Sequence, residues 1–154
     1  KRNSTFTEYY QDGVTPRKET PMQQGKIDGT VKTYFRNGKI EAEKEYKQSV
    51  ESGRERRFDS KTGEQIFESH YIDGKKDGEE WEIFEDASTL RSRIIRHYRN
   101  GKLDGSYRVE STRDGKPYIT IEGQYTDGEK SGQWIEHNYD NNTQTCTWHG
   151  EGGA

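Results

Sequence analysis

The chain has 154 residues, of which 25% are hydrophobic and 34% charged, a balance that excludes a thick apolar core. Its net charge of −3, with both signs interspersed, excludes the basic field that sequence-independent nucleic-acid binding requires. Ten Tyr, five Phe and three Trp argue against disorder, because disordered chains are poor in aromatics, and they fit large flat side chains on a thin sheet.

The first 21 residues read as a degenerate capping hairpin: residues 6–10, a turn at Asp12-Gly13, then a returning strand carrying Pro16 and Pro21. A central strand does not accommodate proline, so that returning strand is expected at a sheet edge. From there one pattern of eight residues recurs. It is clearest as Tyr71-Ile72-Asp73-Gly74-Lys75-Lys76-Asp77-Gly78, and the same Tyr and Gly landmarks return at Tyr98, Gly101 and Gly105 and at Tyr125, Gly128 and Gly132. Each set lies 27 residues after the one before, a period that marks a repeat protein. Met22 to Gly29 keeps the spacing with Met in place of Tyr, and Tyr46 to Gly53 keeps it with Ser49 in place of the first Gly. The chain is accordingly read as a single domain, 1–154, with repeats over about 22–45, 46–70, 71–97, 98–124 and 125–149 and a frayed tail at 150–154.

Between octads lie two β-prone runs flanking a turn: residues 30–35 and 40–46 about Asn37-Gly38, and 106–110 and 118–125 about Asp114-Gly115. Asn-Gly and Asp-Gly favour the type I′ turn, which needs positive φ at both central residues. Each repeat is therefore expected to be one hairpin, with the octad as the tight link to the next. On the returning strand Ala42, Phe67, Ile94 and Ile121 stand four residues before Tyr46, Tyr71, Tyr98 and Tyr125, which puts each pair on one strand face. Stacked hairpins would make two columns, one mainly aliphatic and one of tyrosine. The outgoing strand is out of phase: Val31, Tyr107 and Trp134 follow their glycine by two residues, but Trp81 and Ile83 by three and five. Either a bulge corrects the phase or both faces carry aromatic surface. A turn at Asp140-Asn141-Asn142 and a threonine-rich last strand close the array. The fold class is all-β: an elongated, twisted antiparallel sheet of stacked hairpins.

The octad, followed by Glu-Glu-Trp, Ser-Tyr or Gln-Trp, resembles the MORN repeat, and the Tyr-x-Asn-Gly-Lys-Leu wording resembles the bacterial YwqK-like antitoxin variant. The resemblance covers residues 20–137 and implies a single-sheet scaffold for protein contact, in that branch one that neutralises a toxin. A structural or cell-envelope spacer is the alternative the same repeats allow. Membrane-surface lipid binding comes third, because anionic headgroups attract Lys and Arg and the balance here is acidic. Starting at Lys1 rather than Met, the chain favours the envelope or periplasm over the cytoplasm. Sheet edges leave an oligomer open.

No residue pattern names a reaction, a cofactor or a metal, so the expectation is a protein that is not an enzyme. His70 and His97 precede octad tyrosines but have Glu45 and Gln124 at the equivalent places, which reads as a polar row before it reads as a metal site. Cys146 and His149, three apart on a strand, point to opposite faces, which separates a nucleophile from its base. Trp81, Tyr107 and Trp134 are the candidate partner anchors, since Trp, Tyr and Arg dominate interface energies; repeat packing is the competing role. Arg91, Arg93 and Arg96, facing Glu79, Glu80, Glu82 and Glu85, form either cross-strand pairs or a charged recognition strip. The tyrosines 46, 71, 98 and 125, with Gly29, Gly53, Gly74, Gly78, Gly101, Gly105, Gly128 and Gly132, are the structural positions.

Overall fold

The computed structural model describes residues 3–85 and 90–150. Every helix or strand element among them is a β-strand: β1 Asn3–Tyr9, β2 Pro16–Gln23, β3 Lys26–Ile27, β4 Gly29–Tyr34, β5 Ile40–Lys47, β6 Val50–Phe58, β7 Gln65–Ile72, β8 Lys75–Lys76, β9 Gly78–Glu85, β10 Arg91–Arg99, β11 Lys102–Arg113, β12 Lys116–Thr126, β13 Glu129–Asn138 and β14 Thr143–His149. They fall into two compact units, residues 1–76 and 77–154. In the first unit the order is β1-β2-β4-β5-β6-β7, with β3 on β2 and β8 on β7; in the second it is β9-β10-β11-β12-β13-β14. All the pairings are antiparallel and follow the chain, so each unit is an open sheet of successive hairpins. Of the tail expected over 150–154, all but Gly150 lies outside the described residues.

The tight link expected of the octad is a type I′ turn. Its two central residues have positive φ in all five octads: Gln24 and Gly25, Gln48 and Ser49, Asp73 and Gly74, Asn100 and Gly101, Asp127 and Gly128. Ser49 holds φ 68° without being glycine, and its hydroxyl accepts the amide of Ile27 at 3.0 Å, a bond glycine could not make. Register follows from the turn. The first octad residue always faces the residue five further on: Met22 and Ile27, Tyr46 and Glu51, Tyr71 and Lys76, Tyr98 and Leu103, Tyr125 and Lys130. Asp114 and Gly115 form the I′ turn expected of them, but Asn37-Gly38 does not: only Gly38 has positive φ. The loop there is one residue wider, closed by Phe35 N to Lys39 O and Gly38 N to Phe35 O, so a right-handed turn ending in a left-handed glycine serves instead.

The last glycine of each octad faces the first residue of the next: Gly29 and Tyr46, Gly53 and Tyr71, Gly78 and Tyr98, Gly105 and Tyr125. The tyrosines are therefore placed by one rule. His149 obeys it too, facing Gly132, so it stands at the place that the first residue of an octad takes in the other repeats. The strand with the prolines is not an edge. β2 has β1 on one side and β4 on the other, and the prolines are tolerated because its ladder to β4 pairs Lys18 with Thr33 and Glu19 with Lys32, leaving Pro16 and Pro21 outside it.

One face of each sheet is buried, the face that carries the octad tyrosines. In the first unit the buried residues are Thr20, Val31, Glu55, Phe67 and Ser69; in the second, Glu80, Ser92, Val109, Ser111 and Trp134. The aliphatic column is complete in the second unit, where Ile94 faces Val109 and Val109 faces Ile121. In the first, Arg57 stands between Ala42 and Phe67 and lays its guanidinium 4.2 Å from the Phe67 ring centre. On the opposite face of the first unit Tyr34 donates its hydroxyl to Glu19 at 2.7 Å, and burial, then that bond, raise its pKa from 10.0 to about 12. The raised value favours the neutral phenol in the fold, so this stabilisation is whole below pH 10, where the unfolded phenol is also neutral, and is lost as pH climbs through about 12. Burial moves Tyr98 and Tyr107 the same way. Alkaline titration followed by circular dichroism should show stability falling above pH 10, with a shallower fall in Tyr34→Phe; equal slopes would remove Tyr34 from that loss.

Candidate functional site

A second periodic position emerges two residues after the last glycine of each octad: Val31, Glu55, Glu80, Tyr107 and Trp134. Four of these, Val31, Glu55, Glu80 and Trp134, are buried. In two repeats the residue is a glutamate that receives a tyrosine. Tyr71 donates to Glu55 at 3.0 Å, while Arg57 and Lys44 approach the same carboxylate at 2.9 and 3.8 Å. Tyr98 hydrogen-bonds Glu80, which is 0% exposed and takes Arg96 Nε at 2.6 Å. Arg96 also reaches Glu82 at 3.0 Å; burial opposes its charge, but the bond to Glu80 and both carboxylates outweigh this and raise its pKa. In two further repeats the contact is aromatic. Tyr107 lies 5.7 Å from Tyr125 and 5.3 Å from Trp134, and His149 lies 6.3 Å from Trp134.

Trp134 is thus a packing residue. It is 6% exposed, donates Nε1 to the Gln124 carbonyl at 3.1 Å, and lies over Gly123, where any Cβ would collide with the indole. Tyr107 is half-buried beside it. Trp81 is elsewhere. The β9–β10 register runs unbroken from Glu85–Arg91 to Gly78–Tyr98, so no bulge corrects the phase and Trp81 falls on the face opposite the tyrosines. Of the two alternatives for the outgoing strand, this is aromatic surface on both faces, and the three aromatic candidates do not form one patch.

The arginines divide in the same way. Arg96 belongs to the tyrosine face with Glu80 and Glu82, whereas Arg91 and Arg93 lie on the Trp81 face. There Arg93 stands opposite Ile83 and places its guanidinium 4.4 Å from the Trp81 ring centre, and Trp81 itself stands opposite Ile95. The Arg93 Nε is buried without a hydrogen-bond partner. A shallow cleft of about 170 Å³ opens beside it, lined by Ile83, Arg91, Arg93, Glu110 and Pro117. This face joins an aromatic ring, two isoleucines and an arginine with an unsatisfied donor, the ingredients of a protein contact. Glu55 escaped the sequence reading, and Glu80 entered it only as one of four glutamates facing the arginines, not as a buried periodic position. Counting two residues on from each octad glycine would have found them, but acidic residues do not register in a search for apolar periodicity.

Among the described residues no group of three or more His, Cys, Asp or Glu is gathered as a metal site. His70 and His97 each lie near a glutamate, Glu68 at 3.4 Å and Glu79 at 3.5 Å. Cys146 is exposed and faces Ile135, while His149 faces Gly132 on the other side of β14, so the two do point apart. Compared with family models, curated proteins and solved structures, the chain matches none.

Proposed function

We propose that this is a non-enzymatic repeat module that binds another protein through the Trp81 face of its second unit, and that it acts by covering its partner. The observation that carries the reading is the Arg93 guanidinium stacked on Trp81 with its Nε unsatisfied, beside Ile83 and Ile95. A partner carbonyl or carboxylate would satisfy that donor, and the isoleucines would lose their water. The MORN-like octads extend the proposal to a bacterial antitoxin or immunity protein, whose partner is a toxin.

The test is capture from the source cell followed by calorimetry with the captured protein. Trp81→Ala should weaken binding about thirtyfold, the effect of losing a hot spot of about 2 kcal/mol. Arg93→Ala should weaken it too, and co-expression of the unaltered chain should relieve growth arrest by the partner. Undiminished affinity in both variants would refute this face as the binding face.

A further inference from the structure

We propose that copies of this chain associate head to tail, the outer edge of β14 in one copy pairing with the outer edge of β1 in the next. The contact goes beyond the partner-binding face and uses different residues. It rests on the phase of the two edge strands within the repeat. Ser4 faces Met22 on β2, the first residue of an octad, as Gly29 faces Tyr46 and Gly105 faces Tyr125. Ser4 therefore stands where the last glycine of an octad belongs, and β1 is the strand that leaves an octad. His149, facing Gly132, stands where the first octad residue belongs, and β14 is the strand that enters one. The two edges are complementary halves of one junction.

Phe6 shows that the junction is half-built. It lies two residues after Ser4, at the position occupied in the repeats by Val31, Glu55, Glu80, Tyr107 and Trp134. Val31, Glu55, Glu80 and Trp134 are 8%, 7%, 0% and 6% exposed, whereas Phe6 is 62% exposed. At internal junctions the preceding strand covers this position, Lys44 facing Glu55 and Arg96 facing Tyr107. Beside Phe6 a cleft of about 440 Å³, also lined by Thr20, Met22 and Ile27, remains unfilled. Carrying the internal register across two copies sets Thr147 of one opposite Phe6 of the next, and Cys146 opposite Thr7. Charge permits the approach: β14 has no charged residue and β1 has only Glu8, in a chain that is 34% charged. Edge strands that avoid pairing carry lysine, proline or inward charge, and these two carry neither lysine nor proline. The contact joins two different surfaces, so it goes on adding copies until a ring closes.

Sedimentation equilibrium with two lysine variants tests this, their folding checked by circular dichroism. The unaltered chain should grow in mass beyond a dimer as concentration rises. Phe6→Lys and Thr147→Lys should each associate at least tenfold more weakly. An equimolar mixture of the two should form a one-to-one pair that grows no further, because each variant keeps the edge the other has lost. Four results would each overturn the proposal: an unaltered chain that is monomeric at every concentration, association surviving in Phe6→Lys but not Thr147→Lys, the reverse, or a mixture no better associated than its components.

Discussion

Replacing Arg96 with alanine should cost the second unit about 3–5 kcal/mol, the penalty for leaving a buried charge without its counter-charge. Glu80 is wholly enclosed, and its described partners are the Arg96 Nε at 2.6 Å and the Tyr98 hydroxyl. Removing both charges is different: Glu80→Leu with Arg96→Leu should recover most of the loss, since a buried ion pair is worth little more than well-packed apolar groups of similar volume. Urea unfolding of the two single variants and the double variant gives the coupling. A single Arg96→Ala loss below about 1 kcal/mol would mean that the carboxylate is solvated or neutral in the folded unit. Arg93 lies three residues earlier on the same strand, but its guanidinium stacks on Trp81 instead of neutralising a buried carboxylate, and its alanine variant should change stability far less.

The second large effect is expected at Trp134. Truncation to alanine should cost about 3–5 kcal/mol, because the ring fills the space between Tyr107, Tyr125 and the bare backbone of Gly123, and so thin a sheet has nothing to collapse into the void. The complementary change tests the same packing. Gly123→Ala puts a methyl where the indole lies and should cost about 1–3 kcal/mol through overpacking, while Gly115→Ala meets no atom and reports only the strain of its φ of 75°. Thermal unfolding of the three variants would separate these terms. If Trp134→Ala kept full stability, the aromatic cluster would not be what holds β12 and β13 together. The result also bears on binding: a Trp134 variant that failed to bind would be reporting an altered fold, whereas Trp81→Ala reports the surface.

Much of the fold was written locally. The Asx-Gly pairs inside the octads dictate two successive positive φ values, a two-residue turn fixes which residues face each other, and the fixed spacing then brings each octad tyrosine opposite the last glycine of the octad before it. Ser49 and Gln48 hold the same turn without glycine, which shows that spacing and neighbours can override a missing signal. What sequence could not assign is which polar residues go inside. Glu80 and Glu79 are adjacent and chemically alike, yet one is 0% exposed and the other exposed, because only the register with β10 brings Arg96 over the first. The same register sends Arg96 to one face and Arg91 and Arg93 to the other, and it turns Trp134 inward and Trp81 outward. A strand's own alternation says that neighbours point apart. Which of the two directions is the buried one depends on residues many positions away in sequence, whose charge and bulk are brought to bear only when the strands have paired.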